Sequence, residues 1–108
     1  NKILRNQIFK GLYKTNNLNK ILIAYEPVWS IGTGVVPKIH ELDKNISFIK
    51  NVLKNNFKIK NPKVLYGGSV NAKNAKNLAS IKNIDGFLIG GASQKSKNFI
   101  DIVKKTII

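Results

Sequence analysis

The sequence of 108 residues contains no cysteine and no methionine, and only five of its residues are acidic. Without cysteine the chain has neither disulfides nor thiolate metal ligands. The lone histidine, His40, cannot build a histidine metal cluster, and we interpret it as a residue on the surface of a helix. There is no run of about 18 apolar residues that would predict a transmembrane helix, and the first residues lack the layout of a signal peptide. The missing initiator methionine suggests a piece of a longer protein.

The formal net charge of +14 raises the possibility of a nucleic-acid partner. The basic residues are nearly all lysine, with Arg5 as the single arginine, and they are spread along the chain. Base readout favours arginine, and single-strand binding favours aromatic residues interleaved with charge. Neither pattern occurs, so we expect no specific nucleic acid. A noncatalytic module that binds polyanions in a salt-sensitive manner is the alternative.

Helical and strand periods alternate along the sequence. The spacing predicts four helices, over 1–13, 39–53, 71–79 and 96–103, and three strands, over 20–25, 63–66 and 85–89. Asn71 and Ser96 are the expected N-caps of the third and fourth helices. This alternation predicts an α/β fold in which helices cover a parallel sheet. Right-handed crossovers would bring the three strand ends to one face.

Glu26 directly follows the first predicted strand. A carboxylate at that place would be partly desolvated, which makes it a usable base. The alternative is a glutamate turned toward a salt bridge at the strand end, and the residue taken alone favours this alternative.

Glycine pairs end the other two strands, Gly67-Gly68 and Gly90-Gly91, and each is followed by a serine within two residues. Glycine lets backbone amides approach a ligand closely, and a helix N-terminus adds positive charge. Loops after the last two strands hold phosphate in many (β/α)8 barrels. A phosphate cradle and a pair of simple tight turns are about equally favoured by these residues.

The segment 27–36 begins with a rigid proline, continues with the apolar Trp29 and Ile31, and ends with Gly32 and Gly34. Such a segment is typical of a lid that closes over a substrate. The alternative is a hydrophobic plug under a static loop.

Three segments resemble signatures of the triosephosphate isomerase family. Residues 24–34 (AYEPVWSIGTG) resemble its active-site signature, residues 66–70 (YGGSV) its seventh-strand motif, and residues 85–93 (DGFLIGGAS) its eighth. They occur in family order with family spacing. The resemblance implies that residues 1–108 form one partial (β/α)8 barrel without separate domains. They would extend from a remnant of helix five through helix eight, the C-terminal part of the barrel.

The resemblance also implies roles by position. Glu26 matches the base that moves a proton between the two carbons beside the substrate carbonyl. Ile31 and Leu88 match apolar residues that press on this base when the lid closes, and Tyr66 and Ser69 match side chains that bond the closed lid. The expected phosphate-binding amides belong to Gly32, Ser69, Gly90 and Gly91. The expected lid and closure residues are Pro27, Val28, Trp29, Ile31, Thr33, Gly34, Tyr66 and Leu88.

The implied reaction interconverts dihydroxyacetone phosphate and D-glyceraldehyde 3-phosphate through an enediolate, in glycolysis and gluconeogenesis. No metal or organic cofactor is expected, because protein groups alone can stabilise an enediolate. The expected partners are a small triose phosphate and, for the complete protein, a second copy of itself, with no membrane and a cytoplasmic location. Another phosphosugar-binding barrel is an alternative, against which the sequence around Glu26 argues.

The sequence departs from the family pattern in a few places. Ser30 stands where many members have alanine, and Val35-Val36-Pro37 replaces a hinge that usually contains lysine. The family's lysine after the first strand and its histidine after the fourth have no counterpart. Because three strands alone leave both sheet edges unpaired, we expect the isolated chain to be inactive and poorly folded.

Overall fold

The computed structural model describes residues 2–27 and 38–107, in which helices and strands alternate in the predicted order. The elements are α1 (Lys2–Gly11), β1 (Ile23–Tyr25), α2 (Ile39–Phe57), β2 (Val64–Tyr66), α3 (Ala75–Ala79), β3 (Gly86–Phe87) and α4 (Ser96–Ile107), with 3₁₀ turns at Leu18–Lys20 and Gly91–Ser93. None of the helices within these ranges has the length and apolar character that crossing a membrane requires.

The three strands form one parallel sheet in the order β1-β2-β3. Tyr25 pairs with Tyr66, and Tyr66 with Phe87, so the three strands end at the same level. The predicted α/β class with a parallel sheet is therefore confirmed. The (β/α)8 closure needs more strands than these ranges contain.

Helices cover one face of the sheet and leave the other open. Val64 and Tyr66 are fully buried, and they pack in a core with α2 residues such as Ile46 and Leu53. On the opposite face Leu22 is 64% exposed and Leu88 46% exposed. Parallel sheets are normally covered on both faces, so this apolar face is the one that the interior of a closed barrel would bury.

The longest helix, α2, provides most of the core. Its apolar residues recur every three or four positions, and five of them are buried: Leu42, Ile46, Ile49, Val52 and Leu53. Lys58 ends the helix in the left-handed conformation at φ 58°, and its N–H bonds to the Leu53 carbonyl. The helix prediction for this stretch is confirmed, although Ile39 at its start remains 40% exposed.

Of the two predicted N-caps, Asn71 is confirmed and Ser96 is not. The Asn71 side chain accepts the amides of Lys73 and Asn74, and the Asn71 backbone carbonyl accepts the Ala75 amide at 3.0 Å. Asn71 thus caps the turn that leads into α3 at Ala75. Ser96 is the first residue of α4 and not its cap. Phe99, an apolar residue of α4, is 41% exposed because it borders an open cleft at the edge of β3.

β3 is shorter than the predicted strand over 85–89 at both ends, and just before its start Asp85 bonds to β2 through its backbone and its side chain. Its amide donates to the Val64 carbonyl at 2.9 Å, and its carboxylate Oδ2 accepts the Val64 amide at 2.8 Å. A side chain thus takes the place of a backbone partner at the start of the ladder. Lys50 of α2 lies 2.9 Å from the same oxygen, and Lys63 lies 4.0 Å from the other. The cluster ties α2 to the start of β2 and β3.

Burial raises the pKa of Asp85, but the hydrogen bond from the Val64 amide and the charges of Lys50 and Lys63 outweigh it. The pKa therefore lies below its ordinary value of 3.8. A carboxyl whose pKa is lower in the folded state stabilises the fold above its unfolded pKa, and this contribution is lost as the pH falls through the folded pKa.

We therefore expect Asp85→Asn to lower the free energy of unfolding by about 1–2 kcal/mol at pH 7. The difference between the two proteins should shrink as the pH falls below about 4. Urea unfolding of the complete protein at a series of pH values measures this difference. Asp101→Asn is the control, since Asp101 forms no ion pair within residues 2–27 and 38–107. A difference that stays constant down to pH 2 would contradict the assignment.

Candidate active site

The three strand ends lie side by side and bring the predicted site residues together. The Gly67 amide donates to the Tyr25 carbonyl at 2.9 Å, and the Leu88 amide donates to the Tyr66 carbonyl at 3.0 Å. Because Tyr25, Tyr66 and Phe87 are in register, the next residues of the strands form a second row. That row consists of Glu26, Gly67 and Leu88, and its side-chain directions point to the open face of the sheet.

Glu26 packs directly against Gly67. A Cβ placed on Gly67 would lie 2.5 Å from Glu26 Cγ and 2.9 Å from Glu26 Oε1. The carboxylate of the first strand end therefore lies over the backbone of the second. The sequence predicted that Glu26 and the first glycine pair would be neighbours, and the structure has them in contact.

Glu26 is nonetheless exposed, whereas Pro27 after it is buried. The desolvation expected at the end of an apolar strand is absent in this chain, because the residue points to the uncovered face of the sheet. The alternative of a salt bridge is not observed either: Glu26 forms no ion pair within the described residues. The Glu26 carboxylate therefore lies at the strand ends without the desolvated surroundings that the sequence predicted.

The second loop is held by side-chain hydrogen bonds. Asn74 Nδ2 donates to the Ser69 carbonyl at 3.1 Å, and Asn74 Oδ1 accepts the Asn71 amide at 2.8 Å. Asn71 in turn accepts the Asn74 amide at 3.0 Å. This reciprocal pair fixes the backbone after Gly67-Gly68, and Ser69 is half-buried within it. Sequence reasoning missed Asn74, whose one available signal was its spacing of three residues from Asn71.

The third loop turns through Gly90 and Gly91 into a 3₁₀ turn. The Gly90 carbonyl accepts both the Ser93 amide at 2.9 Å and the Ser93 hydroxyl at 2.6 Å. A Cβ on either glycine would meet nothing within 4 Å, and both residues are exposed. Within residues 2–27 and 38–107 neither glycine amide donates a backbone hydrogen bond. These two amides are thus available to a ligand.

Several predicted lid residues lie outside the described residues: Val28, Trp29, Ile31, Gly32, Thr33 and Gly34. Of the other closure residues, Tyr66 is fully buried, and Leu88 is 46% exposed. His40 is an exposed residue of α2, as we expected. No group of three or more metal-ligating side chains occurs in the part of the chain that the structure describes.

Open clefts border both edges of the sheet. A cleft of about 640 Å³ lies between α1 and β1, where Leu4 and Ile8 face Tyr25 and Glu26. A second cleft of about 350 Å³ lies between β3 and α4, where Phe87 faces Phe99. Each cleft adjoins the unpaired side of an edge strand, which is the place of the next strand in a larger sheet.

Comparison with known proteins gives one consistent result. The family described as triosephosphate isomerase matches residues 1–106. A protein named triosephosphate isomerase from Francisella tularensis subsp. mediasiatica is 49% identical over 90 residues, which are 82% of this chain and 36% of the relative. One from Bradyrhizobium diazoefficiens is 40% identical over 104 residues, 94% of this chain and 41% of the relative. One from Neurospora crassa is 42% identical over 109 residues, 98% of this chain and 44% of the relative.

Proposed function

This chain belongs to the triosephosphate isomerase family, and from that we propose that it forms the last three strand–helix units of an isomerase barrel. The family that the three sequence motifs indicate is confirmed, and the relatives are named as an enzyme, triosephosphate isomerase. The chain spans about two fifths of the length of the curated relatives it matches, 36% to 44%. The whole barrel, its reaction and its partners are therefore part of the proposal.

The glycine loops support a position at the end of the barrel. In (β/α)8 enzymes the phosphate site is frequently formed by the loops after strands seven and eight and by a short extra helix. Here β2 and β3 are adjacent and each is followed by a glycine pair, and three residues separate the end of β3 from the 3₁₀ turn Gly91–Ser93. On this assignment β1 is strand six, α1 is a remnant of helix five and α4 is helix eight.

The proposed reaction needs a base on one side of the substrate and an anion site on the other. Glu26 takes a proton from the hydroxyl-bearing carbon beside the carbonyl of dihydroxyacetone phosphate and returns it to the carbonyl carbon. The hydroxyl proton passes to the former carbonyl oxygen, and the product is D-glyceraldehyde 3-phosphate. The enediolate between them is stabilised by the lysine and histidine that the family supplies from earlier strands. The observation that carries this role is the contact of Glu26 with the Gly67 backbone, between the strand ends.

The phosphate group is proposed to bind at the exposed amides of Gly90 and Gly91 and at the amide of Ser69, together with Gly32 from the lid. An anion there gains from amide donors and from the adjacent helical turn. The lid over 27–36 would exclude water from Glu26, which strengthens its interaction with the substrate. Triosephosphate isomerase is itself a standard example of such a lid, and Tyr66 and Leu88 are the proposed closure contacts.

The rest of the barrel is proposed to fill the two edge clefts. A strand paired with β1 would enter the cleft beside α1, and a strand paired with β3 would enter the cleft beside α4. The open face with Leu22 and Leu88 would then line the barrel interior. We also propose from family membership that the complete protein is a cytoplasmic homodimer without a cofactor. The isolated chain is proposed to be inactive.

Two chimeras test this proposal. In the first, the upstream part of the Francisella relative is joined to the start of this chain, and we call this protein the completed barrel. In the second, the chain replaces the first three strand–helix units of the same relative. We expect the 108-residue chain to show no isomerase turnover, the completed barrel to recover it, and the second chimera to remain inactive. Turnover by the second chimera alone would place the segment at the other end of the barrel.

A further inference from the structure

We propose that Gly67 is a positioning residue for the Glu26 carboxylate: its missing side chain is the space in which Glu26 lies. The inference rests on the proposed function only in taking Glu26 as the base. The carbonyl of Tyr25 accepts the Gly67 amide at 2.9 Å, so Gly67 is fixed to the strand that carries Glu26. Any side chain at position 67 would project to the same face of the sheet, beside Glu26.

The backbone itself does not require glycine at this position. The φ angle of Gly67 lies outside the positive range that disfavours other residues, so alanine could adopt the same conformation. What alanine could not do is share the space: its Cβ would lie 2.5 Å from Glu26 Cγ and 3.2 Å from Glu26 Cδ. Such separations are below van der Waals contact, and Glu26 would have to move.

The direction of that movement matters for the reaction. Neighbouring strands lie about 4.8 Å apart, and Gly67 is the middle member of the row Glu26, Gly67 and Leu88. Without a Cβ in the middle, the carboxylate can lean over β2 toward the strand that leads to Gly90 and Gly91. With a Cβ there, it is confined to the edge above β1, away from the proposed phosphate amides.

The other described glycines provide contrasts. A Cβ on Gly11, Gly90 or Gly91 would meet nothing within 4 Å. A Cβ on Gly86 would lie 3.1 Å from Leu65 Cδ2, which is a steric contact within the same sheet that involves no carboxylate. Gly86→Ala is therefore the matched control: it introduces a similar crowded methyl group in a neighbouring strand.

A double-mutant cycle in the completed barrel tests the contact without relying on activity. We expect Gly67→Ala to raise the unfolding equilibrium constant by about tenfold, the low end of the cost of overpacking, because the exposed Glu26 side chain can turn away from the new methyl group. Glu26→Ala removes the atoms that the new methyl group would meet. In that background Gly67→Ala should raise the unfolding equilibrium constant by less than about threefold. Gly86→Ala should change the unfolding equilibrium constant by the same factor with and without Glu26→Ala. If Gly67→Ala prevents folding, adding Glu26→Ala should restore it.

Steady-state kinetics test the positioning role. A misplacement of about 1 Å can cost on the order of a hundredfold, so Gly67→Ala should lower kcat by about that factor with little change in KM. Gly86→Ala should leave kcat within about threefold.

Equal costs of Gly67→Ala in both cycle backgrounds, or an unchanged kcat in the folded variant, would overturn the inference. If the completed barrel lacks turnover but the cycle shows the coupling, the proposed function fails and the contact stands.

Discussion

Glu26→Gln in the completed barrel is expected to lower kcat by about a thousandfold with little change in KM. A positioned general base contributes on the order of 10²- to 10⁴-fold, and glutamine preserves the shape of the side chain while it cannot accept the proton. The backbone amides that are proposed to bind the substrate phosphate lie on other loops, at Ser69, Gly90 and Gly91, so KM should change little. A coupled assay of triose phosphate interconversion measures kcat and KM.

Glu41→Gln is the control for that substitution. Glu41 is the other glutamate of the chain, and it is exposed on α2. Its replacement should leave kcat within about twofold. Exchange of the substrate's carbon-bound hydrogen with solvent, followed by NMR, isolates the proton transfer, and it should slow in parallel with kcat for Glu26→Gln only. A variant that retains more than a tenth of the parent kcat would remove Glu26 from the role of base.

The largest expected effect on stability is that of Ile46→Ala. Ile46 is fully buried in the core, where α2 packs on the covered face of the sheet. Truncating a buried isoleucine loses transfer free energy and leaves a cavity, which together cost about 2–5 kcal/mol. Since small domains are stable by about 5–15 kcal/mol, one substitution removes a large share of the total. Urea unfolding of the completed barrel at pH 7 measures it.

Asn51→Ala is the control for the core prediction, because Asn51 is an exposed residue of the same helix. Asn51→Ala should change the free energy of unfolding by no more than about 0.5 kcal/mol. A cost below 1 kcal/mol for Ile46→Ala would mean that α2 does not pack on the sheet as described. The comparison of Ile46→Ala with Asn51→Ala therefore tests how α2 packs on the covered face of the sheet. The kinetics of Glu26→Gln test the proposed role of the strand ends.

The sequence predicted the order of elements because their apolar periods are distinct. The spacing of Ile46, Ile49 and Leu53 identifies α2, and the run that ends at Tyr66 identifies β2. The meeting of Glu26 with the first glycine pair was also predictable, since parallel strands joined by right-handed crossovers end on one face.

The remaining features depend on contacts that periodicity does not encode. The Asn74 side chain returns a hydrogen bond to the Asn71 amide, and the Asp85 carboxylate accepts the Val64 amide just before β3. The exposure of Glu26 was missed because an apolar strand was assumed to be covered on both faces. The use of Gly67 as space for Glu26 had one signal: both residues follow paired strand positions, Tyr25 and Tyr66.

The parallel direction of the three strands determines how surplus copies would associate. The free edges of β1 and β3 are different surfaces, so parallel pairing joins the β3 edge of one copy to the β1 edge of another. Such a heterologous contact leaves one free edge at each end until the copies close into a ring. Copies without the remaining strands would therefore assemble through their edges into rings or open polymers, and covalent linkage to those strands prevents this by occupying both edges.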